Sequence, residues 1–158
     1  MAWWNKSTVH RVPLCNMIGH RIILRTAKSY GSRTMSRCSS SNGIVRLGTD
    51  VLPTMSQAVV HNGIVYLSGQ VDGTAEDVVG QTKNVLAKID KYLAEAGTDK
   101  SKLLTSSIWL KNIERDFGAM NEVWIQWIDP NNKPVRATTE ASLAAPNMLI
   151  EIQVTAAK

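Results

Sequence analysis

The chain has 158 residues, 44% hydrophobic and 20% charged, enough for one packed domain plus an appendage. Its formal net charge of +5 averages two unlike parts: residues 1–49 hold eight basic residues and no acid, whereas from Asp50 onward 13 acidic residues face 10 basic ones. That balance disfavours a body that grips nucleic acid through a basic surface, and no apolar run reaches the ~18–20 residues a membrane span needs.

Residues 1–42 are rich in Arg and Ser and free of acids, a composition similar to that of a mitochondrial transit peptide. This basic N-terminal extension is read as a targeting segment; the alternative is a cytoplasmic product translated from near Met35. Cys15 and Cys38 lie in this part and the body has no cysteine, so a disulfide framework is not expected. His10, His20 and His61 are scattered without metal-ligand spacing. The folded domain is assigned to residues 43–158.

A short strand is predicted at 44–47. The stretch "SQAVVHNGIVYLSGQ" reads as a hairpin turning at His61-Asn62-Gly63, because Asn-Gly accepts the positive φ values of a type I′ turn. "SGQVDG" reads as a loop, and Thr74 with Asp77 as a variant capping box. Val79, Thr82, Leu86, Ile89 and Leu93 then share one helical face, and Gly97 is the expected stop. "LLTSSIWLKN" is the next strand. A second helix is predicted from near Glu114, with Phe117, Met120, Val123, Trp124 and Trp127 as its buried stripe and Asp129-Pro130-Asn131-Asn132 ending it.

The last two strands, "KPVRATTEAS" and "MLIEIQVT", alternate. In this reading they form a hairpin with Leu143 opposite Met148. Val135, Ala137, Thr139, Ile150, Ile152 and Val154 then lie under the helices, and Arg136, Thr138, Glu140, Glu151 and Gln153 lie on the other face. Glu140 would sit opposite Glu151, with Arg136 about 13 Å further along at ~3.3 Å per residue. The charged face is either solvated or covered by another subunit that brings a second copy of Arg136 toward Glu151. The pattern predicts an α+β fold: a mixed six-stranded sheet with two helices on one face.

Four pieces, "VYLSGQV", "DFGAMNEVW", "PVRATTEA" and "MLIEIQVTA", occur in this order and spacing, and through them residues 44–157 resemble the Rid (YjgF) family of reactive-intermediate deaminases, in detail a YoaB-like branch. The resemblance implies a chorismate-mutase-like fold and a homotrimer with clefts between subunits. It also implies hydrolysis of 2-imino or 2-enamino acids to 2-keto acids and ammonia, a protection against metabolite damage. Carried over by position, Arg136 matches the family's carboxylate-binding Arg and Glu151 its acid beside the attacking water. Ser68 and Gly69 match the step lining the cleft, and Asn121 an Asn bordering it; Thr138 stands where many members have Cys, and its backbone is a further substrate contact. Met55 stands where many members have Tyr. The chemistry suits these residues. A guanidinium clamps a carboxylate through two parallel hydrogen bonds, and a carboxylate can orient a water toward an already electrophilic C=N carbon, so neither a metal nor an organic cofactor is required. The alternative, which the Met55 and Thr138 departures leave open, is a non-catalytic trimer that binds small carboxylate metabolites. Ribonuclease action or translational inhibition, labels attached to parts of this family, sits poorly with the acidic body.

Overall fold

A computed structural model describes residues 43–158; the 1–42 extension, with its targeting reading, lies outside the described residues. Strands β1 (Val45–Leu47), β2 (Ala58–His61) and β3 (Ile64–Leu67) pair antiparallel in succession. The β2–β3 turn is the expected one: Asn62 and Gly63 hold φ of 51° and 74°, which Asn tolerates and Gly adopts freely.

Helix α1 spans Val78–Ala96. Asp77 is its N-cap and accepts a 2.6 Å bond from the Gly80 amide. Thr74 does not form the expected capping box; its hydroxyl donates instead to the buried Asp72. At the other end Gly97 turns left-handed at φ 79°, and the amides of Gly97 and Thr98 return to the carbonyls of Ala94 and Leu93. Val85, Leu86, Ile89 and Leu93 fill the inward face, as their spacing requires.

Helix α2 spans Ile113–Trp127 and buries Met120, Val123 and Trp124. Phe117, expected in that stripe, is 40% exposed. An inward position nearby goes to Asp116, which is buried and held bidentately by Arg115 at 2.7 and 2.8 Å. Asn112 caps the helix through the Arg115 amide, and Glu140 accepts from the Ile113 amide at 2.9 Å.

Among the described residues the sheet has seven strands, not six. The extra one, β4 (Gln70–Val71), falls where a loop was predicted; it pairs with β7 (Ile150–Ala157). Tyr66 of β3 opposes Thr155 and Gln70 opposes Ile152, so one surplus residue bulges at Ser68-Gly69 between two pieces of a single edge. Two residues are too few to show alternation, which is why the sequence concealed β4.

The second correction concerns β6 (Val135–Glu140). The strand order is β1-β2-β3-β7-β5-β6, with β5 (Leu103–Leu110) between β6 and β7. β6 runs parallel to β5, joined through α2, and β7 runs antiparallel to β5. The expected β6–β7 hairpin does not exist. Its linker instead crosses the end of β5, where the Ala141 amide bonds Leu110 O and the Lys111 amide bonds Leu149 O.

This changes which face each β6 residue occupies. Ile150, Ile152, Val154 and Ala156 of β7 and Ser106, Ile108 and Leu110 of β5 are buried on the helix-covered face. The register sets Arg136 beside Ser106, Thr138 beside Ile108 and Glu140 beside Leu110, so all three point toward the helices. Val135, Ala137 and Thr139 lie on the open face, Val135 being 71% exposed. Glu140 therefore does not oppose Glu151; it serves α2.

Candidate functional site

The candidate residues fall into two groups on opposite sides of the sheet. The first is built on β6 and α2. Arg136 donates from Nη1 to Asn121 Oδ1 at 2.9 Å, and its guanidinium carbon stands 5.4 Å from the centroid of the Trp124 ring. Asn121 and Trp124, three residues apart, share one face of α2 about a turn apart, and both meet Arg136 of β6. Burial pushes the Arg136 guanidinium below its ordinary pKa, and it remains a cation at neutral pH. Among the described residues no carboxylate forms an ion pair with it. Two of its nitrogens are thus uncommitted to Asn121, on a charge that is partly stripped of water.

Thr138, two residues along and on the same face, buries its Oγ1 without a hydrogen-bond partner among the described residues. Ser106 Oγ, on the strand beside Arg136, is in the same condition. Neither Ser106 nor the Trp124 platform was singled out in the sequence. Ser106 is one hydroxyl in a run of polar residues, and Trp124 sits at ordinary core spacing.

Arg136, Asn121 and Trp124 line a cavity of about 440 Å³ together with Ile125, Ile128, Pro130, Lys133 and Pro134. A larger hollow of about 510 Å³ lies under the 141–146 linker, beside Lys111 and Glu140. Its charges are occupied by the fold: Lys111 Nζ donates to Pro146 O at 2.6 Å and Glu140 accepts from Ile113. The smaller cavity is the better ligand site, because Arg136 has no anionic partner among the described residues.

The second group is built on β7 and the bulge. Glu151 opposes Val71 and projects to the open face. Its carboxylate lies against Gly69 so closely that a Cβ there would overlap Glu151 Oε1. Gly69 is needed for this approach rather than for its backbone angle. Ser68 is fixed by a buried amide network: its amide donates to Gln57 O at 2.9 Å, its hydroxyl to the same carbonyl at 3.2 Å, and Gln70 Nε2 donates to Ser68 Oγ at 2.9 Å. Gln57 and Gln70 are 5% and 4% exposed and bond each other at 3.1 Å.

The segment after β4 is equally constrained. Asp72 accepts from Asn84, from the amides of Thr74 and Ala75 and from the Thr74 hydroxyl, with Lys88 Nζ 3.6 Å away. Burial alone would raise its pKa; the hydrogen bonds from Asn84, Ala75 and Thr74 outweigh it and hold the carboxyl at about 2. Gln81, 1% exposed, ties the start of α1 to the linker before β7, donating to Asn147 O and accepting from the Leu149 amide, both at 2.8 Å. Glu151 is thus carried on a braced strand start. Met55, at the position noted above, is 43% exposed in the loop between β1 and β2.

Within one chain the two groups are separated. Glu151 lies beside Trp109, which lies beside Thr139, three residues from Arg136. The Cα separation is roughly 14 Å at ~3.3 Å per residue and ~4.8 Å per strand, and the side chains leave from opposite faces.

Residues 50–158 match the sequence model of the family described as Endoribonuclease L-PSP. The chain belongs to this family, which also carries the names YjgF, Rid and RutC. A RutC family protein of Haemophilus ducreyi is 46% identical over 109 residues, spanning 68% of this chain and 92% of that protein. The RutC family protein YoaB of Escherichia coli K12 is 38% identical over 114 residues, 72% of this chain and 97% of its own. The YjgF family member NMB1025 of Neisseria meningitidis superposes with a TM-score of 0.71 at 42% identity, covering 74% of this chain and 96% of that structure. A more distant relative, the mitochondrial protein mmf1 of Schizosaccharomyces pombe, is 32% identical over 109 residues, 62% of this chain and 64% of its own. The α+β fold, with two helices on a mixed sheet, is that of the YjgF family structures.

Proposed function

We propose that this chain is a hydrolytic deaminase of reactive 2-imino and 2-enamino acids, working as a homotrimer whose clefts join the two half-sites across subunit contacts. The observation that carries the proposal is Arg136: a partly desolvated cation, oriented by Asn121 and Trp124, with no carboxylate partner among the described residues. Such a group takes an external carboxylate through two parallel hydrogen bonds. The open sheet face, with Tyr66 47% and Val135 71% exposed, supplies apolar area for a second copy to cover.

In the mechanism Arg136 anchors the substrate carboxylate and so fixes the adjacent C=N carbon. Glu151 of a neighbouring chain, held against Gly69, orients a water toward that carbon. The water oxygen bonds to carbon as the C=N π pair moves to nitrogen and a proton passes to Glu151. The amino group of the resulting tetrahedral carbinolamine takes up a proton. Its C–N bond then breaks as the carbinol hydroxyl gives up its proton to solvent and its oxygen forms C=O, releasing ammonia and the 2-keto acid. An enamine substrate first takes a proton on its β-carbon to become the iminium ion. Most of the rate comes from position, since the iminium is already electrophilic.

The test generates 2-aminoacrylate with a dehydratase and follows keto-acid release. Faster release with the protein, lost by on the order of 10²-fold in Arg136→Ala, is expected. Unchanged release, or an active Arg136→Ala protein, overturns the proposal. The acid-free composition of residues 1–42 supports delivery to mitochondria, checked by fusing them to a fluorescent protein; diffuse fluorescence overturns that part.

A further inference from the structure

We infer that the site selects 2-imino acids with a bulky apolar side chain over those with a small or acidic one. The inference rests on the reading of Arg136 as the carboxylate anchor and adds what lies beside that anchor. The cavity that Arg136 lines is otherwise walled by Trp124, Ile125, Ile128, Pro130 and Pro134, with Asn121 and Lys133 as its other polar members. Its volume of about 440 Å³ lies within the ~300–1,000 Å³ of small-molecule sites. This is far more room than a methyl group uses.

Because Arg136 and the apolar residues line one cavity, a carboxylate bonded to the two nitrogens not engaged by Asn121 sets its α-substituent toward that wall. An aliphatic or aromatic side chain there displaces water from apolar surface, which a methyl cannot do to the same extent. An acidic side chain loses its hydration against Ile125 and Ile128 and has only Lys133 in recompense. Ile125 is 64% exposed, so the wall is open to incoming ligand, and Trp124 is both the platform for the guanidinium and part of the pocket.

The experiment compares 2-imino acids made in situ by amino-acid oxidases from leucine, phenylalanine, alanine and glutamate, with hydrolysis followed by loss of trapping by semicarbazide. The leucine- or phenylalanine-derived imine should exceed the alanine-derived one in kcat/KM by roughly tenfold or more, the scale of a few added methylenes in an apolar pocket. Ile125→Asp, at an exposed position that leaves the fold intact, should bring that ratio toward one. In parallel, calorimetry with the stable product analogues 4-methyl-2-oxopentanoate and 2-oxopropanoate reads the same preference without turnover. Hydrolysis of all four imines at similar rates, or a preference for the glutamate-derived one, overturns the inference and leaves the deaminase function standing. If no imine is hydrolysed but the branched keto acid binds at least about tenfold tighter, the deaminase function falls and the apolar selectivity stands. Equal binding of the two keto acids with no hydrolysis overturns both.

Discussion

Arg136 and Glu151 leave opposite faces of one sheet, on strands held apart by β5. No rotamer change brings them to a common substrate, because the sheet itself lies between them. A reaction that uses both therefore draws them from two chains. This predicts complementation. Arg136→Ala and Glu151→Ala should each be nearly inactive. Subunits of the two variants, unfolded together and reassembled, should regain activity in about one cleft in four by random association. Turnover of the mixture against each variant alone is the measurement; a mixture no better than its parts places the two residues in separate roles.

Gly69→Ala tests the second half-site without removing a functional group. The added methyl overlaps the tip of the Glu151 side chain, not backbone, so the carboxylate swings aside while the strand stays in place. Stability should change by no more than about 1 kcal/mol. A displaced water-orienting group should lower kcat by on the order of 10²-fold while KM moves little, since Arg136 still holds the substrate. Full activity in this variant would remove Glu151 from the chemistry.

Much of the scaffold was legible in the residues, and the reasons differ by element. Asn62-Gly63 and Gly97 announce backbone angles that few other residues take, and both lie where expected. The stripe of α1 is regular enough to fix its inward face. Alternation in β6 gave the right strand with the wrong side, because an edge strand can expose Val135 and Ala137 while turning Arg136 inward onto a tryptophan. Sequence neighbours β6 and β7 looked like a hairpin, and only the insertion of β5 decides otherwise. Asp116 entered the buried stripe of α2 because its partner Arg115 is the adjacent residue, which periodicity of apolar positions does not register. For the candidate site, the expected gap between Arg136 and Glu151 rested on a hairpin that does not form and on a shared face; the actual separation comes from β5 between their strands and from their opposite faces. The apolar cavity beside Arg136 was not readable, since its walls come from α2 and from the segment leading into β6.

Asp72 makes stability depend on acid. Its carboxyl is held at about 2, below its ordinary value of 3.8. A depressed folded-state value means the unfolded chain takes up the proton first. The contribution is complete above the unfolded value, shrinks as pH falls from about 4, and is gone below about 2. Its size is on the order of 2 kcal/mol, from the shift and ~1.4 kcal/mol per unit. Asp72→Asn should therefore be less stable than the parent by about that amount near neutrality. The gap should close as both are unfolded in urea at successively lower pH. A gap that is constant from neutral to strongly acidic conditions would show that the Asp72 charge contributes nothing.

Glu140 supplies the last test, because two readings of it predict different outcomes. Opposite Glu151 it would be a repelled carboxylate whose loss stabilises the protein. At the start of α2, accepting from the Ile113 amide beside the positive end of the helix, it is a stabilising anion. The register favours the second, since Glu140 pairs with Leu110 on the helix-covered face. Glu140→Ala should then cost about 1 kcal/mol in denaturant unfolding, in the range of a lost helix cap, with little effect on turnover. Because α2 also carries Asn121 and Trp124, fraying of its first turn should not reach them: Asn121 lies two turns further in, where the intrahelical bonds are complete. A more stable Glu140→Ala protein would point back to repulsion across the sheet and against the strand order on which the two half-sites depend.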